Sequence, residues 1–306
     1  MDNNKICHKL DTDELSKKFD KFLEYETPQK MTWCGGCGNY GILNALEYSF
    51  VLENIQPNQV LMCFDVGCNG NASDKIRCNT LHGLHGRVIS LASGAALANT
   101  HMKVVATAGD GATFSEGINH LVHAIRNDYP ITFIHHDNQN YGLTTGQASA
   151  TTKKGFPMNA SPDGVLGDPI NPVDLVLSLN PSFVARTFSG DIEHMTSTFR
   201  EALNHKGFSF VEVLQACPTY NKATPQEWYY DRIKYIENLK GYDNTDIWQA
   251  RKIAADLEKD IYLGVIYKNK NSVDFMSRIE SRKTVKTTLV EEVMIYHLDK
   301  FLDELS

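Results

Sequence analysis

Three groups of residues have the types and spacing for chemistry. The first is Gly109-Asp110-Gly111, with Asn138 standing 28 residues after Asp110. That interval holds one helix and one return strand. A carboxylate and an amide oxygen would then stand at the ends of two neighbouring strands. Oxygen donors of this kind suit Mg²⁺, which keeps octahedral geometry and shares its shell with phosphate oxygens and water. The two glycines would let backbone N–H groups approach a diphosphate, and a helix starting near Ser115 would add its N-terminal dipole. Gly-Asp-Gly alone is an ordinary turn, so Asn138 carries the metal reading.

The second group is the cysteines: Cys7, Cys34, Cys37, Cys63, Cys68, Cys78 and Cys217. An odd number without a visible secretory signal points to metal or redox chemistry, not a disulfide framework. Cys34-x-x-Cys37 lies in a glycine loop, Cys68 follows one predicted strand, and Cys217 follows another, just before Pro218. Four thiolates could hold an iron–sulfur cluster. They could also hold a structural zinc, although the second close Cys-x-x-Cys pair of a zinc ribbon is missing. Cys34 and Cys37 alone could form a dithiol. Cys63, inside a predicted strand, reads as a buried inert thiol.

The third group is Leu81-His82-Gly83-Leu84-His85-Gly86-Arg87. Two histidines and an arginine at a helix N-terminus suit an anionic ligand, and a hydrogen-bonded structural role is the competing account for each histidine. His120, His123, His135 and His136 fall in predicted helix or strand and read as structural.

The elements that must position these groups alternate. Residues 60–66, 103–108, 131–137, 183–188 and 208–214 read as buried strands. Helical periodicity covers 11–25, 41–54, 88–99, 115–127, 172–179 and 191–205. The repeated strand–helix pattern predicts an α/β fold, a parallel sheet with helices on both faces and a ligand beyond the carboxyl ends of the strands. After Thr224 the character changes to charged helical stretches at 246–260 and 286–304, with a polar run at 268–274. The expected organisation is an N-terminal helical segment over 1–29, a binding domain over 30–224, and a helical extension over 225–306 that covers the sheet or meets a partner chain.

Composition sets the outer bounds. The chain of 306 residues is 42% hydrophobic and 22% charged, ordinary material for a globular core. Its 30 Lys+Arg against 37 Asp+Glu give a formal charge of −7. That balance argues against a dedicated nucleic-acid binder. No apolar run is long enough to cross a membrane, and the polar start predicts a cytoplasmic protein.

The motifs Thr32-Trp33-Cys34-Gly35-Gly36-Cys37-Gly38, His85-Gly86-Arg87, Gly109-Asp110-Gly111, Asn119-His120-Leu121, Asp137 through Gln147 and Cys217-Pro218-Thr219-Tyr220-Asn221 come in one order. In that order and spacing, over about residues 30–222, the chain resembles the β subunits of 2-oxoacid:ferredoxin oxidoreductases. The resemblance implies a thiamine-diphosphate-binding fold of the pyrophosphate-domain type. It implies that Gly109, Asp110, Gly111, Asn138, Asn140, Gly142, Leu143 and Thr144 surround the cofactor. Asp110 and Asn138 would ligate Mg²⁺ through side chains and Asn140 through its backbone carbonyl. Cys34, Cys37, Cys68 and Cys217 would hold a [4Fe–4S] cluster, and His85 would act near cofactor or substrate.

The implied reaction is oxidative decarboxylation of a 2-oxoacid with coenzyme A, giving acyl-CoA and CO₂ and passing electrons to ferredoxin. An α subunit would complete the site. The alternatives are a non-redox thiamine-dependent decarboxylase or carboligase, which needs no cluster, and a zinc-stabilised binding module. The sequence departs from the family's pattern at Gly35 (usually Pro), Ala96 (often Lys), Ala112 (usually Asp) and Thr145 (usually Gly).

Overall fold

A computed structural model describes residues 18–255, 259–293 and 302–304. One eight-stranded sheet organises the chain, in the order β2-β1-β3-β4-β6-β5-β8-β7. Its strands are β1 (Val60–Phe64), β2 (Asn79–His82), β3 (Lys103–Gly109), β4 (Thr132–Asp137), β5 (Phe183–Phe188), β6 (Ser209–Leu214), β7 (Ile233–Tyr235) and β8 (Ile261–Lys268). From β2 to β5 every pairing is parallel.

Strands β4, β5 and β6 are buried along their whole length, which is why they read as nearly unbroken apolar runs. Alternate residues serve opposite faces. Val104, Ala106 and Ala108 of β3 join one core, and Val105 joins the other. The short α1 (Phe19–Leu23) opens the described chain. On the first face pack α3 (Val88–Ala98), α4 (Ile118–Asn127), α5 (Pro172–Leu177) and α8 (Ile247–Ala254). On the second pack α2 (Asn39–Leu52) and α6 (Ile192–Asn204). The short α7 (Gln226–Tyr230) follows β6 and brings Tyr229 into a small third core with Phe188 and Leu214. Local sequence sets the helix limits. Asn171 caps α5 with Pro172 in its first turn, and Asp191 caps α6 by accepting from His194 N.

Two expectations are corrected, and one strand went unforeseen. The C-terminal region is not purely helical, because β8 adds to β5 in antiparallel sense and β7 pairs beside it, making the sheet mixed. The run Ile261-Tyr262-Leu263-Gly264-Val265-Ile266-Tyr267 has the β-branched and aromatic content of a strand, but charged neighbours on both sides masked it. The edge strand β2 is polar and largely exposed, so no buried pattern marked it. Finally, helical structure starts earlier than Ser115: a π-helical turn spans Gly111–Glu116, and Gly117 separates it from α4. Of the other expected helices, residues 11–17 and 294–301 lie outside the described residues, as does Cys7.

Candidate functional site

A cleft opens at the carboxyl ends of β1, β3 and β4. Its walls carry Gly109, Asp110, Gly111, Asn138, Asn140, Gly142, Leu143 and Thr144, together with His85 and Cys68. Every residue assigned to the cofactor from sequence is therefore present. His82 and Arg87 are not among the lining residues; Arg87 instead bonds the backbone carbonyl of Glu116 at 3.1 Å.

Asp110 follows the last residue of β3 and is buried. Its Oδ2 accepts from Ser149 Oγ at 2.5 Å and from Thr151 Oγ1 at 2.8 Å. Burial pushes its pKa up to about 6, partly opposed by those hydroxyls. Asn138 follows β4, and its Oδ1 accepts from Asn140 N at 3.2 Å. Asn140 donates from Nδ2 to the Asn138 carbonyl at 2.8 Å, and its own Oδ1 is buried without a partner. Oxygen donors held at adjacent strand ends are what a hard divalent cation takes. Gly111 has no room for a side chain, since a Cβ would lie 2.3 Å from the Tyr141 ring.

The four cysteines gather at the cleft's rim. Cys34 is exposed, and Cys37, Cys68 and Cys217 are half-buried. Burial first, then the neighbouring Cys37, Cys217 and Cys34, push the Cys68 thiol up to about 12. Burial likewise raises Cys37, with Cys217 and Cys34 adding to it. Trp33 ties two of the loops together, donating from Nε1 to the Cys68 carbonyl at 2.6 Å. Tyr40 Oη in turn donates to the Trp33 carbonyl at 3.1 Å. Cys63 is buried in β1, as expected of an inert thiol.

His85 stands at the mouth, its Nδ1 3.2 Å from Asp65 Oδ1 and 3.0 Å from Glu116 Oε2. These are ion-pair distances, but the ring is turned so that neither contact has hydrogen-bond geometry. Asp65 is anchored by backbone N–H donors from Val66, Gly86 and Val88 at 2.8, 3.0 and 3.2 Å. One carboxylate thus shapes the His85 loop and starts α3.

Thermodynamically demanding groups lie beneath the cleft. Asp137 is raised well above the ordinary carboxylate range by burial, then by Asp110 and Glu212. His135, Asp137 and Glu212 bring their ligand atoms within 4.8 Å of one another. The guanidinium of fully buried Arg186 pairs with Glu212 and already supplies the positive charge there. Burial pushes His135 down to about 3 and His136 to about 4, so both are neutral.

Comparison with known proteins follows the same lines. The 2-oxoacid:ferredoxin oxidoreductase subunit beta of Sulfolobus sp is 35% identical over 83% of this chain and 87% of the relative. The chain belongs to the β subunits of the 2-oxoacid:ferredoxin oxidoreductases. A second member of this oxidoreductase family, the 2-oxoglutarate oxidoreductase subunit KorB of Mycobacterium tuberculosis, is 35% identical over 67% of this chain and 55% of its own. The solved 2-oxoglutarate:ferredoxin oxidoreductase from Magnetococcus marinus, with 2-oxoglutarate, coenzyme A and succinyl-CoA bound, superposes at a TM-score of 0.82. It has 26% identity and covers 99% of both chains. Residues 65–213 match the thiamine pyrophosphate enzyme C-terminal TPP-binding domain. Residues 217–284 match the C-terminal region of the pyruvate ferredoxin oxidoreductase beta chain. Among the described residues no helix is long and apolar enough to cross a membrane.

Sequence reasoning on this β subunit missed Asp65, Glu116, Ser149 and Thr151, and it gave His136 a structural role although His136 lines the cleft. Asp65 had a signal: like Asp110, it is a carboxylate directly after an apolar strand. Ser149 and Thr151 had none, because the loop that returns them to Asp110 has no periodicity.

Proposed function

We propose that this β subunit holds thiamine diphosphate, Mg²⁺ and a [4Fe–4S] cluster, and that its complex oxidises a 2-oxoacid with coenzyme A. The products would be acyl-CoA, CO₂ and two reduced ferredoxin equivalents. The observation that carries this reading is that Cys68 lines the same cleft as Asp110, Asn138 and Asn140, with three further thiols around it. When bound, thiamine diphosphate supplies the electron sink for decarboxylation, and the cluster supplies one-electron storage.

The chain's own residues do the rest. Asp110 and Asn138 side chains, with the Asn140 carbonyl, are the Mg²⁺ ligands in this reading. The buried carboxylate and the unpartnered Asn140 Oδ1 fit a site built to receive a cation. Gly109, Gly111, Gly142, Leu143 and Thr144, which line the cleft, would let backbone approach a bound diphosphate. His85, held between Asp65 and Glu116, faces the mouth where substrate would enter. The β-subunit names of the relatives support a partner α subunit, which would provide the carboxylate that activates the aminopyrimidine.

The four thiols are not drawn together as tightly as a structural zinc holds its sulfurs. A tetrahedral zinc with bonds of about 2.3 Å holds its sulfurs roughly 3.8 Å apart. Among the described residues, which include all four of these cysteines, no three of their Sγ atoms come within 4.8 Å of one another.

The test is iron and acid-labile sulfide content on protein prepared without oxygen. About four of each per chain, with a visible absorption bleached by dithionite, is the expected result. Zinc, or no metal, would overturn the redox reading in favour of a non-redox thiamine enzyme.

A further inference from the structure

Three buried polar side chains join the cofactor cleft to the thiol site. His136 on β4, Asn39 at the start of α2 and Gln215 just past β6 all line the cleft. His136 Nδ1 lies 3.1 Å from Asn39 Oδ1. Gln215 Nε2 lies 3.1 Å from the same oxygen and 3.5 Å from Cys37 Sγ. A thiolate only accepts, which fixes the direction of the whole chain. Gln215 presents one amide N–H to the sulfur and the other to Asn39, Asn39 presents its oxygen, and His136 donates from Nδ1. Backbone contacts hold the arrangement in place. Gln215 N donates to the Asp137 carbonyl at 2.9 Å, and a Cβ on Gly38 would lie 2.7 Å from Gln215 Cγ. Burial raises the Cys37 thiol and the Gln215 N–H opposes it, as a donor that favours negative charge on sulfur should.

We propose that Gln215 is a positioning residue of the thiol site. Its N–H on the Cys37 sulfur raises the reduction potential of the cluster held there, and Asn39 and His136 keep its amide in that orientation. The proposal rests on the four-iron reading above. Reduction adds one negative charge, spread over the iron–sulfur core and its thiolates. A donor on sulfur stabilises the reduced state more than the oxidised one, so the cluster takes each electron more readily. Asn39 Nδ2, His136 Nε2 and Gln215 Oε1 are buried without a partner. Polar atoms of the same chain thus remain open at the wall of the cofactor cleft.

The test uses the assembled α/β enzyme, prepared without oxygen, carrying Gln215→Met, which keeps the side chain's length and loses both N–H groups. A dye-mediated redox titration, followed by the EPR signal of the reduced cluster, reads the midpoint potential. At equal iron content the variant is expected to have the lower potential. Its reduced-to-oxidised ratio at a given applied potential should fall about tenfold, or about 59 mV for one electron. A merely structural role would loosen iron retention without moving the potential. An unchanged or higher potential in the iron-loaded variant overturns the proposal and leaves the four-iron reading standing. If the variant holds no iron, the unaltered enzyme decides. With its glutamine side-chain amides labelled with nitrogen-15, pulsed EPR of the reduced cluster should show coupling to the label, and absence of that coupling overturns the proposal. An unaltered enzyme that contains no iron overturns the four-iron reading, and this proposal with it.

Discussion

Asp110 and Asp137, on neighbouring strand ends, share a single hydroxyl: Thr151 Oγ1 lies 2.8 Å from Asp110 Oδ2 and 2.8 Å from Asp137 Oδ1. A hydroxyl donates one proton, so two such contacts require that one acid donates its own. The raised pKa of both carboxyls has the same direction. Without a cation, the pair therefore holds a proton. Thr151→Val removes the bridge and leaves Asp110 less firmly aimed. A hydrogen bond to a charged group contributes about 1.5–3 kcal/mol, so Mg²⁺–thiamine diphosphate affinity should fall roughly 10- to 100-fold. Thr151→Ser should restore it. Calorimetric titration of the two variants decides, and equal affinities for Val and wild type would remove Thr151 from the site.

The Asp110 carboxyl sets a pH dependence of its own. Asp110 sits at about 6 in the folded, metal-free chain against an ordinary value of 3.8. A raised acid contributes stability that is fully present below the ordinary value and is lost as pH rises through about 6. Cation binding runs the other way, because the ligand must be ionised. The difference in Tm between loaded and metal-free protein should widen from pH 5 to pH 7. A flat difference would mean that Asp110 is not the group displaced.

How much of this was legible in the sequence follows from which signals are local. Asp110, Asn138 and Cys68 each stand at or just past the end of a buried apolar run, so the strand pattern placed them, while their roles came from the Gly-Asp-Gly motif, the cysteine set and the family resemblance. β2 and β8 did not stand out, for opposite reasons. Asn79–His82 is a polar edge with little to bury, and the apolar run of β8 was embedded in a charged region. The Asp65–His85–Glu116 arrangement joins two loops and the π-helical turn through contacts at sequence separations that no periodicity encodes. Antiparallel addition of β8 to β5 is likewise a tertiary choice, visible only in the pairing.

Trp33 offers a test of the thiol site that leaves every thiol in place. Its Nε1 holds the Cys68 carbonyl at 2.6 Å, linking the Cys34 loop to the Cys68 loop. Trp33→Phe keeps an aromatic ring against Tyr40, with which Trp33 now packs edge-on at 5.2 Å, but deletes that bond. The loss is about 1 kcal/mol, too little to unfold the chain. Iron should be stripped several-fold faster by a chelator from the variant than from the parent, at equal starting content. Identical stripping rates would show that the two loops are held together by other contacts.

Thr145 carries backbone strain. Its φ of 78° places a β-branched residue in the left-handed region, where the family pattern usually has glycine. Holding such a residue there costs on the order of 1–3 kcal/mol. Thr145→Gly removes that cost but adds freedom to the unfolded chain, worth about 0.5–1 kcal/mol in the opposite direction. The net expectation is a gain of about 1 kcal/mol, read as a shift in the urea midpoint without a change in slope. The neighbouring Thr144 lines the cleft, so the relaxed loop also has a functional readout. If strain at 145 presses Thr144 toward the diphosphate, the stabler variant should bind thiamine diphosphate more weakly. A variant less stable than the parent would mean that the Thr145 side chain makes contacts that outweigh its backbone cost.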